Sequence, residues 1–519
     1  MKRMNAIAMM TLMVMGLTLG LTGCGDDDEP TPQVVLSLRS CSITEGAEYV
    51  ASELTEATLS YNNAVAVSPS ANITLNGVKC TAMPSTTRAM DIIITLPTLE
   101  EDKAYTLDIP AGAIVGKTDN AATAPAFKVS FTTKAALPVE DNAAVLAKQL
   151  GWGWNLGNHF DTNTGEDGKP FQWGYWDSAK PTQKLYTNLK NAGVSTVRIC
   201  VTWGNYQTPE TWTIDPAFMA EVKQNVDWAE TAGLNVILNL HHDEYWLDIK
   251  SAASNSDVNE AIKTRIEKTW TQIAETFKEK GGYLFFESFN EVQDGGWGWG
   301  ANRTDGGKQY RTLNEWNQLV VNTIRATGGN NATRWIGIPC YATNPSLALE
   351  NAFELPTDPA NHIMVSVHFY DPSNFTLTPD NSDGKSEWGH TAAAGKYQNG
   401  SNEDHVVDIF QRLKRKFIDN NIPVYIGEYG CVMHKTSRSN LFRNYYLEYV
   451  CRAAHTYGMP VCIWDNNSVG SGNEHHGYFN HNDGTYLNDA EKLVKTMIKA
   501  CTSDDANYTL ESIYYNAPK

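Results

Sequence analysis

The sequence predicts an α/β protein, a (β/α)8 barrel of the TIM type preceded by a small all-β sandwich. Three observations lead there. Beyond residue 141, eight apolar runs of strand length alternate with amphipathic stretches of helical length. Residues 34–134 instead hold short alternating segments broken by Gly, Asn and Pro, the pattern of half-buried antiparallel strands. Finally, polar side chains stand at the C-terminal end of nearly every one of the eight runs, the end at which such barrels assemble their sites. At 519 residues the chain exceeds one ordinary domain, so two folded units are expected.

Residues 1–23 read as an export signal. Met1-Lys-Arg3 is a positive start, and the apolar stretch 6–21 is short for a membrane span and ends in small residues. Leu21-Thr-Gly-Cys24 resembles a bacterial lipobox, which would make Cys24 the lipidated first residue of the mature chain. A plain signal peptide cut elsewhere is the alternative. Residues 24–33 form an acidic tether whose Gly25-Asp-Asp-Asp-Glu29 resembles the signal that some Gram-negative bacteria use for surface display of lipoproteins. An outer-membrane lipoprotein facing outward is the expectation; an ordinary solvated tether is the alternative.

The sandwich covers residues 34–134, with strands expected at 71–75, 91–96, 105–110 and 127–133. The run Tyr105-Thr-Leu-Asp-Ile-Pro-Ala-Gly-Ala-Ile114 and the Phe131-Thr-Thr133 that follows it resemble bacterial Ig-like modules appended to secreted enzymes. No catalytic cluster occurs here, so a spacer is expected, with direct glycan binding as the alternative. Residues 135–141 are the linker, and 142–519 the barrel. Its strands are expected at 152–158, 195–201, 235–241, 283–291, 334–341, 363–370, 423–428 and 460–465. Helices are expected at 218–232, 258–278, 314–327, 406–419 and 439–456.

Composition narrows the function. A net charge of −18 argues against nucleic-acid partners and against docking on anionic lipid, both of which need clustered Lys and Arg. Fifteen Trp and 23 Tyr suit the flat faces that carbohydrate binding uses, although a large β-rich protein carries many aromatics anyway. Besides Cys24, eight cysteines show neither a disulfide framework nor a zinc-type pair. Cys200, Cys340 and Cys462 lie in apolar runs as expected core thiols; Cys41 and Cys80 share one domain and could pair.

The strand ends carry the chemistry: Asn158, Arg198, Trp203, His241, Asn290, Glu291, Tyr341, His368, Tyr370, Glu428 and Trp464. A carboxylate where a strand leaves an apolar core is costly unless paired or used. Two such carboxylates, Glu291 and Glu428, fit glycoside hydrolysis, which needs one carboxyl to protonate the leaving oxygen and another across the anomeric carbon. Their protonation states must differ, so their surroundings must differ. Arg198 and the Tyr370 hydroxyl would keep one of them ionised. Glu287 shares the face of Glu291 under strand alternation, one layer deeper, and reads as a paired structural carboxylate.

Asn290-Glu291 at one strand end and Ile426-Gly-Glu428 at a later one resemble the acid/base and nucleophile motifs of glycoside hydrolase family 5, a retaining group of (β/α)8 barrels. The similarity runs from about residue 150 to 498. Val197-Arg-Ile-Cys-Val-Thr-Trp203 resembles the family's arginine strand, Leu238-Asn-Leu-His-His242 its histidine strand, Val367-His-Phe-Tyr370 its His-x-Tyr strand and Ile463-Trp464 its tryptophan strand. Trp154-Asn-Leu-Gly-Asn158 with Trp464-Asp-Asn466 is most similar to subfamily 4, whose members cut β-glucans and xyloglucan. His159-Phe-Asp161 departs from the Thr-Leu-Asp that relatives often carry.

The resemblance implies Glu291 as acid/base and Glu428 as nucleophile, with Asn290 on the sugar 2-hydroxyl. Arg198 and Tyr370 would orient the nucleophile. His241 and His368 would line the same subsite, Trp464 would floor it, and Asn158 would support substrate binding. It implies no cofactor and no metal. The implied partner is a β-linked polysaccharide, cut endo-fashion by a monomer, with mannan or glucomannan as the competing substrate. A non-catalytic glycan-binding lipoprotein would have no need of both glutamates. Metal-dependent hydrolysis is the third class: His241-His-Asp-Glu244 could suggest a metal, yet consecutive strand residues face opposite ways, and His475-His476 lies in a loop without a clear third ligand. Trp297 and Trp299, in the Gly-rich stretch after Glu291, are either sugar platforms or packing residues.

Overall fold

The computed structural model describes residues 35–51, 54–119, 121–134, 142–170 and 174–519. The segments expected to be a signal peptide, the lipidated Cys24, an acidic tether and the linker at 135–141 lie outside them. The chain forms two compact units, divided between residues 140 and 141.

The N-terminal unit is all-β. One sheet orders Leu38–Cys41, Glu56–Tyr61, Asp91–Thr95 and Thr81–Pro84; a second orders Glu48–Val50, Phe127–Lys134, Ala104–Ile109, Thr74–Leu75 and Val78–Lys79. Every pairing is antiparallel except that of Phe127–Lys134 with Glu48–Val50. Alternate residues point inward, as in Glu56–Tyr61 and Ala104–Ile109, so Leu59, Tyr61, Ile92, Ile94, Leu107, Ile109, Val129 and Phe131 of both sheets share one core. Cys41 and Cys80 do not pair, and every described cysteine is free. The Cys41 thiol instead accepts from the Ile43 N–H at 3.4 Å, while the Cys80 thiol faces the Val78 carbonyl.

The second unit is a closed barrel of eight parallel strands. They are β1 (Trp152–Leu156), β2 (Thr196–Ile199), β3 (Asn235–Asn239), β4 (Leu284–Glu287), β5 (Ile336–Pro339), β6 (Ile363–Phe369), β7 (Val424–Tyr429) and β8 (Val461–Ile463). β1 closes on β8 through Trp152 opposite Val461. Apart from Asn235 the strand residues are buried on both faces, which is why they read as continuous apolar runs rather than alternating ones. Helix α1 (Asn142–Leu150) packs Leu146 and Leu150 against Ile237, Phe285, Met364, Tyr425 and Cys462, plugging the barrel at the strands' N-terminal side.

The crossovers are α2 (Gln183–Ala192), α3 (Pro216–Thr231), α4 (Ser256–Phe277), α5 (Lys308–Ala326), α6 (Glu403–Lys416) and α7 (Ser437–Thr456), with α8 (Glu491–Thr502) after β8. Their starts follow local chemistry. Asp215 caps α3 by accepting from the Ala217 N–H at 2.7 Å ahead of Pro216, and α6 opens on Glu403 and Asp404 and closes on Lys414, Arg415 and Lys416, complementing its dipole. Between β5 and β6 the described helix is a single turn, Pro345–Ala348, since Pro356 and Pro359 interrupt the rest of that stretch.

The strands are shorter than the apolar runs, which corrects one expectation. Glu291 is not a strand residue: β4 ends at Glu287, and the chain then continues through buried Ser288, Phe289 and Asn290. Most polar strand-end residues likewise stand just past the hydrogen-bonded strand, on the first residues of the loops.

Candidate active site

Arg198, on β2, organises the site from a wholly buried position. Its Nε donates to Glu287 Oε2 at 2.8 Å, Nη1 to Glu428 Oε1 at 2.7 Å and to Asn155 Oδ1 at 3.0 Å, and Nη2 to Asn290 Oδ1 at 2.8 Å. A buried guanidinium needs such partners, and its fixed fork sets their positions in turn. Arg198 engages the oxygen of the Asn290 amide, which leaves the amide's hydrogens to face an acceptor. The Asn290 carbonyl is held by the Thr343 hydroxyl.

Three glutamates meet this cation differently. Glu287 is wholly buried and accepts from Ser366 Oγ and Tyr425 OH, both at 2.6 Å, and from Asn239 Nδ2 at 3.0 Å, besides Arg198. Burial would raise its pKa, but Arg198 and these donors bring it below the usual carboxylate range. With every oxygen engaged it is a structural anion. Glu428, on β7, accepts from Arg198 through Oε1 and from Tyr370 OH through Oε2 at 3.0 Å. Glu291 has neither donor. Its contact is His368 Nδ1 at 2.7 Å, and burial, aided by the charge of Glu244, pushes its pKa up to about 7.

His368 bridges the pair, its Nδ1 lying 3.7 Å from Glu428 Oε2. Burial lowers its pKa to about 4, so it is neutral, and its Nδ1 shares the hydrogen bond with Glu291. One oxygen from each of Glu291 and Glu428 and one nitrogen of His368 lie within 4.8 Å of one another. His241 is also buried, and burial with neighbouring His242 holds its pKa well below the ordinary histidine value. Asn239 decides its tautomer. The Asn239 oxygen takes the Val201 N–H, so its nitrogen donates to His241 Nδ1 at 3.0 Å and leaves the proton on Nε2. Nε2 stands 3.9 Å from both Glu428 Oε1 and Asp161 Oδ2.

Trp464 lies parallel to the His241 ring with centroids 5.9 Å apart. A Cβ at position 157 would sit 2.7 Å from its ring, so Gly157 is what lets the indole lie against β1's loop. Asn158 follows in the left-handed region (φ 60°), its N–H donating to Asp161 Oδ2 at 3.0 Å. The structure therefore gathers Asn158, Arg198, His241, Asn290, Glu291, His368, Tyr370, Glu428 and Trp464 at one end of the barrel.

Such a set can hold one carboxyl protonated beside one carboxylate held by two donors, with amide and imidazole N–H groups around them. It suits a metal poorly. Among the described residues, three groups have ligand atoms within 4.8 Å: Asp161 with His241 and His242, Cys200 with His241 and Glu428, and Glu291 with His368 and Glu428. His241 Nδ1 is already an acceptor for Asn239, and Arg198 places its own positive charge 3.4 Å from Cys200 Sγ and 2.7 Å from Glu428.

A family model described as Cellulase (glycosyl hydrolase family 5) matches residues 158–470, more than half of the chain. The chain belongs to glycosyl hydrolase family 5. It is a glycoside hydrolase. Endoglucanase A of Paenibacillus barcinonensis is 32% identical over 356 residues, covering 65% of this chain and 84% of the relative. A xyloglucan-specific endo-β-1,4-glucanase of Bacteroides ovatus is 33% identical over 323 residues, covering 60% and 62%. Among solved structures, a GH5-4 broad-specificity endoglucanase from Bacteroides salanitronis is 46% identical with a TM-score of 0.66, covering 70% of this chain and 95% of that one.

For this family 5 hydrolase the motif reading missed the residues that hold the site together. Asn155 stands in the middle of the apolar run of β1, and its amide donates to the carbonyls of Gly427, Cys462 and Ile463, tying β1 to β7 and β8 beneath Glu428. Asn239 links Glu287 to His241. Their signal was a lone amide inside an otherwise apolar buried strand, where only a complete set of partners is tolerated. Asp161 is wholly buried, and burial raises its pKa to about 6. Glu244, whose charge acts on Glu291, carries in the sequence only the metal-like pattern His241-His-Asp-Glu244, which does not point to that role.

Proposed function

We propose that the protein is a retaining endo-β-glycanase of subfamily 4 type, cutting β-1,4-linked glucan backbones such as cellulose-like glucan, mixed-linkage glucan or xyloglucan. The observation that carries this is the unequal pair: Glu428 held directly by Arg198 and Tyr370, Glu291 hydrogen-bonded instead to His368 and with its pKa pushed to about 7. A carboxyl separation of about 5–5.5 Å is that of retaining enzymes, and the oxygens within 4.8 Å agree with it.

In the first step Glu428 attacks the anomeric carbon, with its oxygens already fixed by Arg198 and Tyr370. Glu291, protonated and steadied by the neutral His368, gives its proton to the departing glycosidic oxygen. The Asn290 amide donates to the 2-hydroxyl of the bound sugar, and His241 Nε2–H donates to the same unit, stacked over Trp464. Loss of the leaving group leaves Glu291 ionised. It then deprotonates a water that attacks the glycosyl–Glu428 ester, restoring both carboxyls and the starting anomeric configuration.

The relatives named endoglucanase, xyloglucan-specific glucanase and broad-specificity endoglucanase support the β-glucan reading of the substrate. The lipobox Leu21-Thr-Gly-Cys24 and the acidic run after it support anchoring in the outer membrane through Cys24 with the enzyme facing outward, where polymers too large for the periplasm are met. The N-terminal unit is then an Ig-like spacer. The deciding experiment measures hydrolysis of carboxymethylcellulose, xyloglucan, mixed-linkage glucan and mannan, with NMR of the first-formed anomer. Turnover of a β-glucan with retention is expected. Inverted product would overturn the mechanism, and preference for mannan the substrate.

A further inference from the structure

A buried ion cluster beside the site has no part in the steps above. His481 is wholly buried, with Nδ1 2.6 Å from Asp177 Oδ2 and Nε2 3.3 Å from Asp465 Oδ1. Burial opposes a charged imidazole, but the two carboxylates outweigh it and push the His481 pKa up to about 9. The nearby His159 is held at about 4 by burial and is neutral. Buried charges persist only when they are paired and hydrogen-bonded; His481 Nε2 faces Asp465 as an ion pair without a hydrogen bond of its own, while both carboxylates are well supplied with donors. Asp465 Oδ2 accepts from Trp154 Nε1 at 2.8 Å and from the Tyr478 and Phe479 N–H groups, while Asp177 Oδ1 accepts from Asn467 Nδ2 at 2.8 Å and the Ala179 N–H at 3.0 Å.

What the cluster joins explains its presence. Asp465 directly follows Trp464, the indole beside the carboxylate pair. Asp177 directly follows Trp176, a residue 44% exposed although the one after it is buried. The Trp176 ring meets His242 edge-on at 5.9 Å, His242 meets His241 at 4.4 Å, and His241 lies parallel to Trp464. A row of rings thus leads from Trp464 to an open indole, and the ion cluster fastens both ends. An indole left in water at the end of such a row presents apolar area that the C–H face of a pyranose would cover.

We propose that Trp176 is a stacking platform for a sugar unit remote from the bond being cut, and that the Asp177–His481–Asp465 cluster is the positioning device that keeps it in register with Trp464. The ligand is a further unit of the same β-linked glucan, so the inference rests on the functional reading above.

The test compares cellohexaose with an activated aryl β-cellobioside, using the full chain. Trp176→Ala should raise KM for cellohexaose about ten-fold while leaving kcat on the aryl cellobioside within about two-fold, and Trp176→Tyr should recover most of the loss. His481→Gln should raise the cellohexaose KM similarly in the wild-type background and add nothing in the Trp176→Ala background. Asp177→Asn, which preserves shape, gives the same readout should His481→Gln fail to fold, as thermal melting would reveal. An unchanged cellohexaose KM in Trp176→Ala overturns the platform. Equal effects of His481→Gln in both backgrounds overturn the positioning role. Wild-type protein inert toward the aryl cellobioside would sink the functional reading and this inference with it, whereas an active wild type with unaltered variants sinks the inference alone.

Discussion

Glu291→Gln should stabilise the barrel, and only above a defined pH. In the folded protein the Glu291 pKa is about 7, against an ordinary value of 4.5. A carboxyl raised in the folded state contributes nothing unfavourable below the unfolded pKa, where both states are protonated. Between pH 4.5 and 7 the unfolded chain gives up the proton and the folded one keeps it, so stability falls as pH rises; above 7 the loss is complete. Each pH unit of that window is worth about 1.4 kcal/mol, giving about 3 kcal/mol in all. Solvent reaches 18% of the side chain, and screening trims the expectation to about 2 kcal/mol. Gln keeps a hydrogen-bond partner for His368 Nδ1 and carries no charge, so it escapes this loss. All fifteen tryptophans lie beyond residue 150, so denaturant unfolding followed by tryptophan fluorescence reports on the barrel alone. The two proteins should match at pH 4 and differ by about 2 kcal/mol at pH 8.5. Equal stabilities at both pH values, or a larger gap in acid, would refute the argument that the site holds Glu291 neutral.

The same pKa predicts an alkaline limb in kcat/KM near pH 7, because the general acid must be protonated; a pH-rate profile flat from 6 to 9 would contradict it. Glu428→Ala should lose at least about 10³-fold in kcat, and azide should rescue an activated aryl glycoside to the glycosyl azide of opposite anomeric configuration, visible by NMR. Tyr370→Phe removes one charge-assisted hydrogen bond at 3.0 Å from Glu428 and should slow kcat about 10- to 100-fold with an unchanged melting temperature. Cys24→Ala should move the protein from the membrane fraction to the soluble one; retention in the membrane would count against the lipid anchor.

Much of this molecule is legible in its sequence because the barrel's signals are local. Strands buried on both faces must be apolar throughout, and amphipathic stretches must separate them, so the eight runs and five of the crossovers can be read off directly, whereas α2 and α8 match none of the expected helices. The single helical turn between β5 and β6 falls where Pro345, Pro356 and Pro359 cluster. Chemistry at strand ends is local as well, since it is the departure of a polar residue from an apolar run. What was less legible was where each run stops being a strand. Glu291 stands four residues past β4, because hydrogen bonding to β5 ends at Glu287 and Ser288 while burial continues to Asn290.

The sequence alone thus determined the barrel, the presence of two glutamates at the C-terminal end of its strands and the polar residues around them. The tertiary structure decided how those glutamates differ. Arg198 reaches Glu287 from 89 positions away and Glu428 from 230, and His368 meets Glu291 across 77. A carboxyl's proton affinity depends on which charges and donors lie within a few ångströms and on how much water is excluded. Neither quantity is a property of the neighbouring residues in the chain. Closing the barrel brings eight strand ends to one face, and that closure gives Glu428 a cation and a hydroxyl while leaving Glu291 a neutral imidazole.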